Sequence, residues 1–157
     1  ALVHERLYQS REVRRVAMGE YVDVLLSTLY RKLVSEELEI NFLKELGEFD
    51  LAIYREVPCG LIINELFSNA LIHGFEGRQH GSGTVEVKLY LLAKECVIFV
   101  SDSGRGLPIE VNTEAGSMGF EIVSILVEQL EGSFRLIGGQ GTTFEVRFPV
   151  LRDGIVG

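Results

Sequence analysis

Glu65, Asn69 and His73 recur at i, i+4 and i+8 within NELFSNALIHGF, residues 64–75. At about 100° per residue they follow one side of a helix. A carboxylate, an amide and an imidazole on one line could accept a proton, touch a metal ion or hydrogen-bond a ligand. Asn64 and Ser68 widen this polar arc, while Ile62, Ile63, Leu66, Phe67, Ala70 and Leu71 fill the opposite one. Solvation alone is enough to explain a polar arc on a surface helix. Against that, Asn and Ser are poor helix formers beside Lys, Glu or Gln, so their use here suggests hydrogen bonding or metal contact. These residues alone leave both readings open.

Two further stretches carry chemistry. In VSDSGRGLP (100–108), Asp102 follows an apolar run, and Gly104 and Gly106 follow it at alternate positions. Glycine lets a backbone approach a flat ligand closely, and a carboxylate beside it can accept from an exocyclic amine. Asp and Gly are also ordinary turn formers. In GSMGFEIVSILVEQL (116–130), Gly119 stands where a helix should begin. Amides at a helix N-terminus bind phosphate without a lysine, although a plain capped helix would read the same way. The chain contains neither GxxxxGK[ST] nor GxGxxG, which argues against a P-loop and against a dinucleotide fold.

The elements that must position these residues are legible in outline. A charged junction, REVRR (11–15), precedes residues 18–33, where Tyr21, Val24, Leu25, Thr28 and Leu29 set a helical stripe. Residues 37–46 and 49–56 read as short strands around a turn at Gly47, and Pro58 and Gly60 precede the helix bearing Glu65. Val85, Val87, Leu89 and Leu91 alternate with polar residues as a half-buried strand. CVIFVS (96–101) is continuously apolar, as a central strand would be. Residues 103–118 read as loop, residues 120–131 as a helix ended by Gly132, and FRLIGG with TTFEVRFPV as a closing hairpin. The pattern predicts an α+β protein: a two-layer sandwich whose mixed, mostly antiparallel sheet is covered by helices on one face.

Composition narrows the partners. The chain has 157 residues, enough for one domain with a real core, and a net charge of −8. That charge disfavours nucleic acid and anionic membrane as non-specific partners. No apolar run approaches the roughly 18 residues of a membrane span. Cys59 and Cys96 lack a CxxC partner and read as buried thiols of a reducing, cytoplasmic compartment. The chain starts at Ala1 without Met, as a processed piece or an excised fragment would.

Taken in order, the three stretches resemble the ATP-binding domain of the GHKL superfamily, the Bergerat fold of gyrase, Hsp90, MutL and histidine kinases. NELFSNALIHGF is similar to its N box, DSGRGLP to its G1 box, and GSMGF to a shortened G2 box. GQGTTFEVRFP resembles the last glycine segment and closing strand, and ALVHERLYQS the second helix of a dimerisation and phosphotransfer hairpin. Within the superfamily the chain looks most like sensor histidine kinases of the HisKA_2/HWE-related type.

The resemblance implies ATP and Mg²⁺ as ligands. By it, Asn69 would coordinate the metal held by the ATP phosphates. Glu65 would accept a proton or position water, and His73 would lie near the phosphates. Asp102 would read the adenine amine, Gly104 and Gly106 would shape the purine pocket, Gly119 would begin the phosphate-side helix, and Thr142 would line the nucleotide site. It further implies residues 1–12 as the end of the hairpin, 13–150 as the catalytic domain and 151–157 as a tail. The partners would be a response regulator and a second copy, joined through a hairpin whose acceptor helix this chain lacks. The parent protein could be membrane-anchored, while this chain would touch neither membrane nor nucleic acid. His4 falls on the second hairpin helix and reads as structural, and His80 as solvated.

Two features depart from the family pattern. Ile72 stands where a Lys usually precedes the N-box His, and it interrupts the polar arc; Arg78 or Arg105 could substitute. The segment from Asp102 to Gly119 is short, as a small lid would be. An anti-sigma-factor serine kinase shares a similar N box, and a degenerate domain used only for docking would fit Ile72.

Overall fold

The computed structural model describes residues 14–34, 36, 38–74, 81–103, 118–137 and 141–150. In chain order the elements are β1 (Arg15–Ala17), α1 (Met18–Leu33), β2 (Leu38–Leu46), β3 (Asp50–Ala52), α2 (Ile53–Gly74), β4 (Gly81–Leu92), β5 (Glu95–Asp102), α3 (Met118–Gln129), β6 (Ser133–Ile137) and β7 (Thr142–Pro149). Five strands form one sheet in the order β2-β4-β5-β7-β6, and β1 with β3 forms a second, two-stranded one. The β2–β4 pair is parallel; the other pairs are antiparallel.

Alternation along the strands separates the two faces. Val85, Val87 and Leu89 of β4, Cys96, Ile98 and Val100 of β5, and Phe144, Val146 and Phe148 of β7 are all buried. They meet Ile62, Ile63, Leu66, Phe67, Ala70 and Leu71 of α2 and Val123, Leu126 and Val127 of α3 in one core. The other face carries long polar side chains. Arg135 pairs with Glu145 at 2.5 Å, Glu145 with Arg147 at 3.0 Å, and Arg147 with Glu95 at 3.5 Å. Lys88 covers the Phe99 ring at 5.2 Å on the same face. The architecture is the expected two-layer sandwich, with the helices on one face and an ionic lattice across the other.

Several local expectations need correction. The segment at 49–56 is not the second arm of a hairpin. β2 pairs in parallel with β4, and the Gly47 amide still donates to Leu89 O at 2.7 Å, so the chain holds to β4 rather than turning back on β2. Only Asp50–Ala52 is extended, and it pairs with β1. The helix starts at Ile53, whose amide donates to Arg14 O at 2.9 Å, and it contains both Pro58 and Gly60. Pro58 contributes no N–H to the helical ladder. Gly60 has a packing reason: a Cβ there would overlap the Tyr21 hydroxyl of α1.

The buried face of α1 is also rotated from expectation. Met18, Val22 and Leu26 point into the core, Tyr21, Leu25 and Leu29 flank it, and Val24 is 66% exposed. Leu91 lies beyond the covered part of β4 and is exposed. At the end of α3 the left-handed residue is Glu131, with φ 61°, and not Gly132. The Gly132 amide donates to Val127 O and the Glu131 amide to Glu128 O, both at 2.9 Å, which is a Schellman closure. Gly132 is needed for space, since a Cβ would collide with the Arg147 carbonyl of β7.

Candidate functional site

One cross-strand row runs Phe42, Val85, Asp102, Thr142 across β2, β4, β5 and β7. Its first half is apolar. Its second half holds Asp102, 7% exposed, directly opposite Thr142, 4% exposed. Among the described residues these are the only buried polar or charged side chains. A carboxylate withdrawn from water needs partners that favour its charged form, so such a group is rarely incidental.

Two ring contacts bring helices to this end of the sheet. Phe67 of α2 packs against Phe42 with centroids 5.1 Å apart, so the last turns of α2 stand over this row. Phe120, in the first turn of α3, lies 5.6 Å from Phe144. Phe144 pairs with Val100, two residues before Asp102 on the same face of β5. The N-terminus of α3, with Gly119, is thereby held at the same end.

The polar arc of α2 is half-buried rather than fully solvated. Asn64, Glu65, Ser68 and Asn69 all have intermediate exposure, while Ile72 on the same side is 47% exposed. His73 lies in the last turn of α2, and its side chain lies outside the described residues. Gly104 and Gly106, Arg78 and Arg105, the lid and His4 also lie outside them. The structure therefore brings Glu65, Asn69, Asp102, Gly119 and Thr142 to one end of the sandwich.

Three residues that sequence reasoning did not connect with Asp102 shape its surroundings. On the β7 side a Cβ at Gly141 would overlap the Asp102 carbonyl oxygen, so only glycine lets β7 start there. On the β4 side the Ser103 amide donates to Thr84 O and the Ser103 hydroxyl accepts from the Thr84 amide, each at 2.9 Å. The small residues beside Asp102 and before Thr142 were the available signal. A separate cleft of about 660 Å³ lies at the far end of the sheet, near Leu46. It is lined by Glu20, Asp23, Glu48 and Asp50, a charge set that repels phosphate.

Residues 55–152 match the model of the histidine kinase-, DNA gyrase B- and HSP90-like ATPase family. The chain belongs to that family. As a member of that ATPase family it binds ATP. It is 31% identical over 157 residues to the sensor histidine kinase PdtaS of Mycolicibacterium smegmatis, covering 97% of this chain and 31% of that protein. It is 33% identical over 158 residues to blue-light-activated histidine kinase 2 of Erythrobacter litoralis, covering 94% of this chain and 44% of that one. The chain thus spans between about a third and under a half of the length of these relatives.

Among solved structures, the histidine kinase domain of an Erythrobacter litoralis blue-light activated kinase superposes with a TM-score of 0.78 at 24% identity. The match covers 88% of this chain and 63% of that one. The mycobacterial sensor histidine kinase MprB gives 0.67 at 20% identity, covering 87% and 96%. These likenesses support the ATPase-family fold. Among the described residues no helix is long and apolar enough to cross a membrane.

Proposed function

We propose that this chain is the catalytic domain, residues 13–150, of a two-component sensor histidine kinase of the HisKA_2/HWE-related type. It would transfer the γ-phosphoryl of ATP to a histidine on a dimerisation hairpin, of which residues 1–12 are the end, with residues 151–157 as a tail. The observation that carries this reading is the buried Asp102–Thr142 pair at the sheet end where the polar face of α2 and the start of α3 converge.

In this reading Asp102 accepts from the adenine amine, and Thr142 shares that end of the base pocket with Gly104 and Gly106. Asn69 faces the phosphates, with His73 beside them and the first amides of α3, from Gly119, as donors to phosphate oxygens. Among the described residues no three His, Cys, Asp or Glu side chains cluster as a ready-made metal site. A half-buried amide on a helix fits a hard cation that takes most of its oxygens from phosphate and water. Mg²⁺, when bound, would neutralise charge on the β- and γ-phosphates. The bond from the γ-phosphorus to the ADP oxygen breaks and one to the acceptor imidazole nitrogen forms. The acceptor nitrogen attacks through its lone pair, and Glu65 receives the proton that the other ring nitrogen then loses.

The whole protein would act in the cytoplasm as a homodimer joined through its hairpins, passing the phosphoryl group to a response regulator. Calorimetric titration with ATP, with and without Mg²⁺, tests the core of this reading. Tight Mg²⁺-dependent binding is expected. Supplying the acceptor hairpin should then yield an acid-labile, alkali-stable label. ATP binding without any such label would favour the docking module and implicate Ile72.

A further inference from the structure

We infer that Ser103 is a positioning residue for Asp102, an inference that rests on the reading of Asp102 as the reader of the base. Thr84 and Ser103 continue the β4–β5 register one step beyond Val85 and Asp102. In a hydrogen-bonded antiparallel pair both exchanged bonds are made by backbone carbonyls. Here only one is. The Ser103 amide donates to Thr84 O at 2.9 Å, but the Thr84 amide donates to the Ser103 hydroxyl, also at 2.9 Å. The hydroxyl takes the place of the carbonyl.

That substitution lets the chain leave the sheet immediately after Asp102 while the Thr84 amide stays satisfied. On the opposite side Gly141 brings β7 against the Asp102 carbonyl, closer than any side chain would allow. The Asp102 backbone is therefore held from β4 and from β7 at once. Its buried carboxylate inherits a fixed height at the end of the strand. Without the hydroxyl, the Thr84 amide must either turn to water or draw the Ser103 carbonyl back into the ladder, and each alternative shifts Asp102.

The test compares Ser103→Ala, Ser103→Thr and Asp102→Asn with wild type, using ATP and purine riboside triphosphate, which lacks the exocyclic amine. Ser103→Ala should weaken ATP about three- to tenfold, the loss of one hydrogen bond's worth of positioning, and leave the amine-free nucleotide unchanged. Ser103→Thr keeps the hydroxyl and should restore the preference for ATP. Hydrogen exchange at the Thr84 amide should accelerate in Ser103→Ala alone.

Unaltered preference in Ser103→Ala, with Asp102→Asn abolishing it, would overturn the positioning role and leave Asp102 as the base reader. Equal weakening of both nucleotides would overturn it as well, since general loosening would then be the cause. A wild-type chain that does not distinguish the two nucleotides would instead overturn the reading of Asp102, and this inference with it.

Discussion

The Tyr21 hydroxyl of α1 sits directly against the Cα of Gly60 in α2, in space that any Cβ would occupy. Burial pushes the Tyr21 phenol well above its ordinary value, and its hydrogen bond to Glu56 adds to that rise. Gly60 is therefore a packing residue in a helix that would otherwise prefer alanine. Gly60→Ala should cost about 1–3 kcal/mol by overpacking, despite the better helix propensity of alanine. Urea denaturation of Gly60→Ala, Tyr21→Phe and the double variant checks it. The double variant should cost less than the sum, because removing the hydroxyl relieves part of the overlap.

Asp102→Asn should weaken ATP binding by about 1.5–3 kcal/mol, because a charge-assisted bond is replaced by one from an amide that must first be oriented. The preference for ATP over GTP should fall with it. An unchanged preference in competition titrations would remove Asp102 from the role of base reader.

Asn69→Ala should abolish the Mg²⁺-dependent part of ATP affinity and change stability by no more than about 1 kcal/mol, since Asn69 lies on the half-buried polar arc and not in the core. Calorimetry with Mg²⁺ and with EDTA gives the first quantity, and thermal unfolding the second. Wild-type Mg²⁺ dependence in this variant would exclude Asn69 as a ligand.

Ile72→Lys places a cation on an exposed position of the same arc. Stability should move by less than about 0.5 kcal/mol. ATP affinity should rise up to about fivefold, and more at low salt than at high, as expected for a solvent-screened charge. An affinity that does not respond would place Ile72 away from the phosphates.

Glu145 titrates below its ordinary value near 4.5, chiefly through its hydrogen bond from Arg135; burial opposes this, and Arg147 reinforces it. A carboxylate held low in the folded state stabilises the fold fully above its unfolded value. That contribution is lost as the pH falls through the lower folded value. Glu145→Gln should therefore flatten the acid limb of stability and leave its shape near neutrality unchanged. Urea unfolding from neutral pH down to about pH 3 provides the comparison.

Much of this site could be read in advance where side-chain type and period agree. The buried arc Ile62, Leu66, Ala70, Ile63, Phe67 and Leu71 follows a helix wheel because all of it faces one core, and Ile72 emerges on the opposite side as the wheel requires. CVIFVS does take the central position in the strand order, although helices cover only one of its faces. The parallel β2–β4 pair was not legible, because FDLAIYRE carries β-forming residues and only tertiary pairing decides that Ile53 begins a helix. The left-handed Glu131 was missed for a related reason. Gly132 invites the torsional explanation, yet a neighbouring carbonyl on β7 is what excludes a side chain there. The hydroxyl of Ser103 left no periodic trace at all.

The parallel pairing of β2 with β4 has a kinetic meaning. Two adjacent parallel strands can join only through a crossover, and here the crossover is α2 itself, the helix that carries Glu65 and Asn69. Phe42 and Val85 are distant in the chain, so their meeting must absorb the entropy of closing a long loop before it is rewarded. The Phe67–Phe42 contact ties α2 to the β2 edge that this pairing brings in. Nucleotide competence should therefore appear late in refolding, together with docking of the β2 edge, and truncating Phe67 should slow both alike.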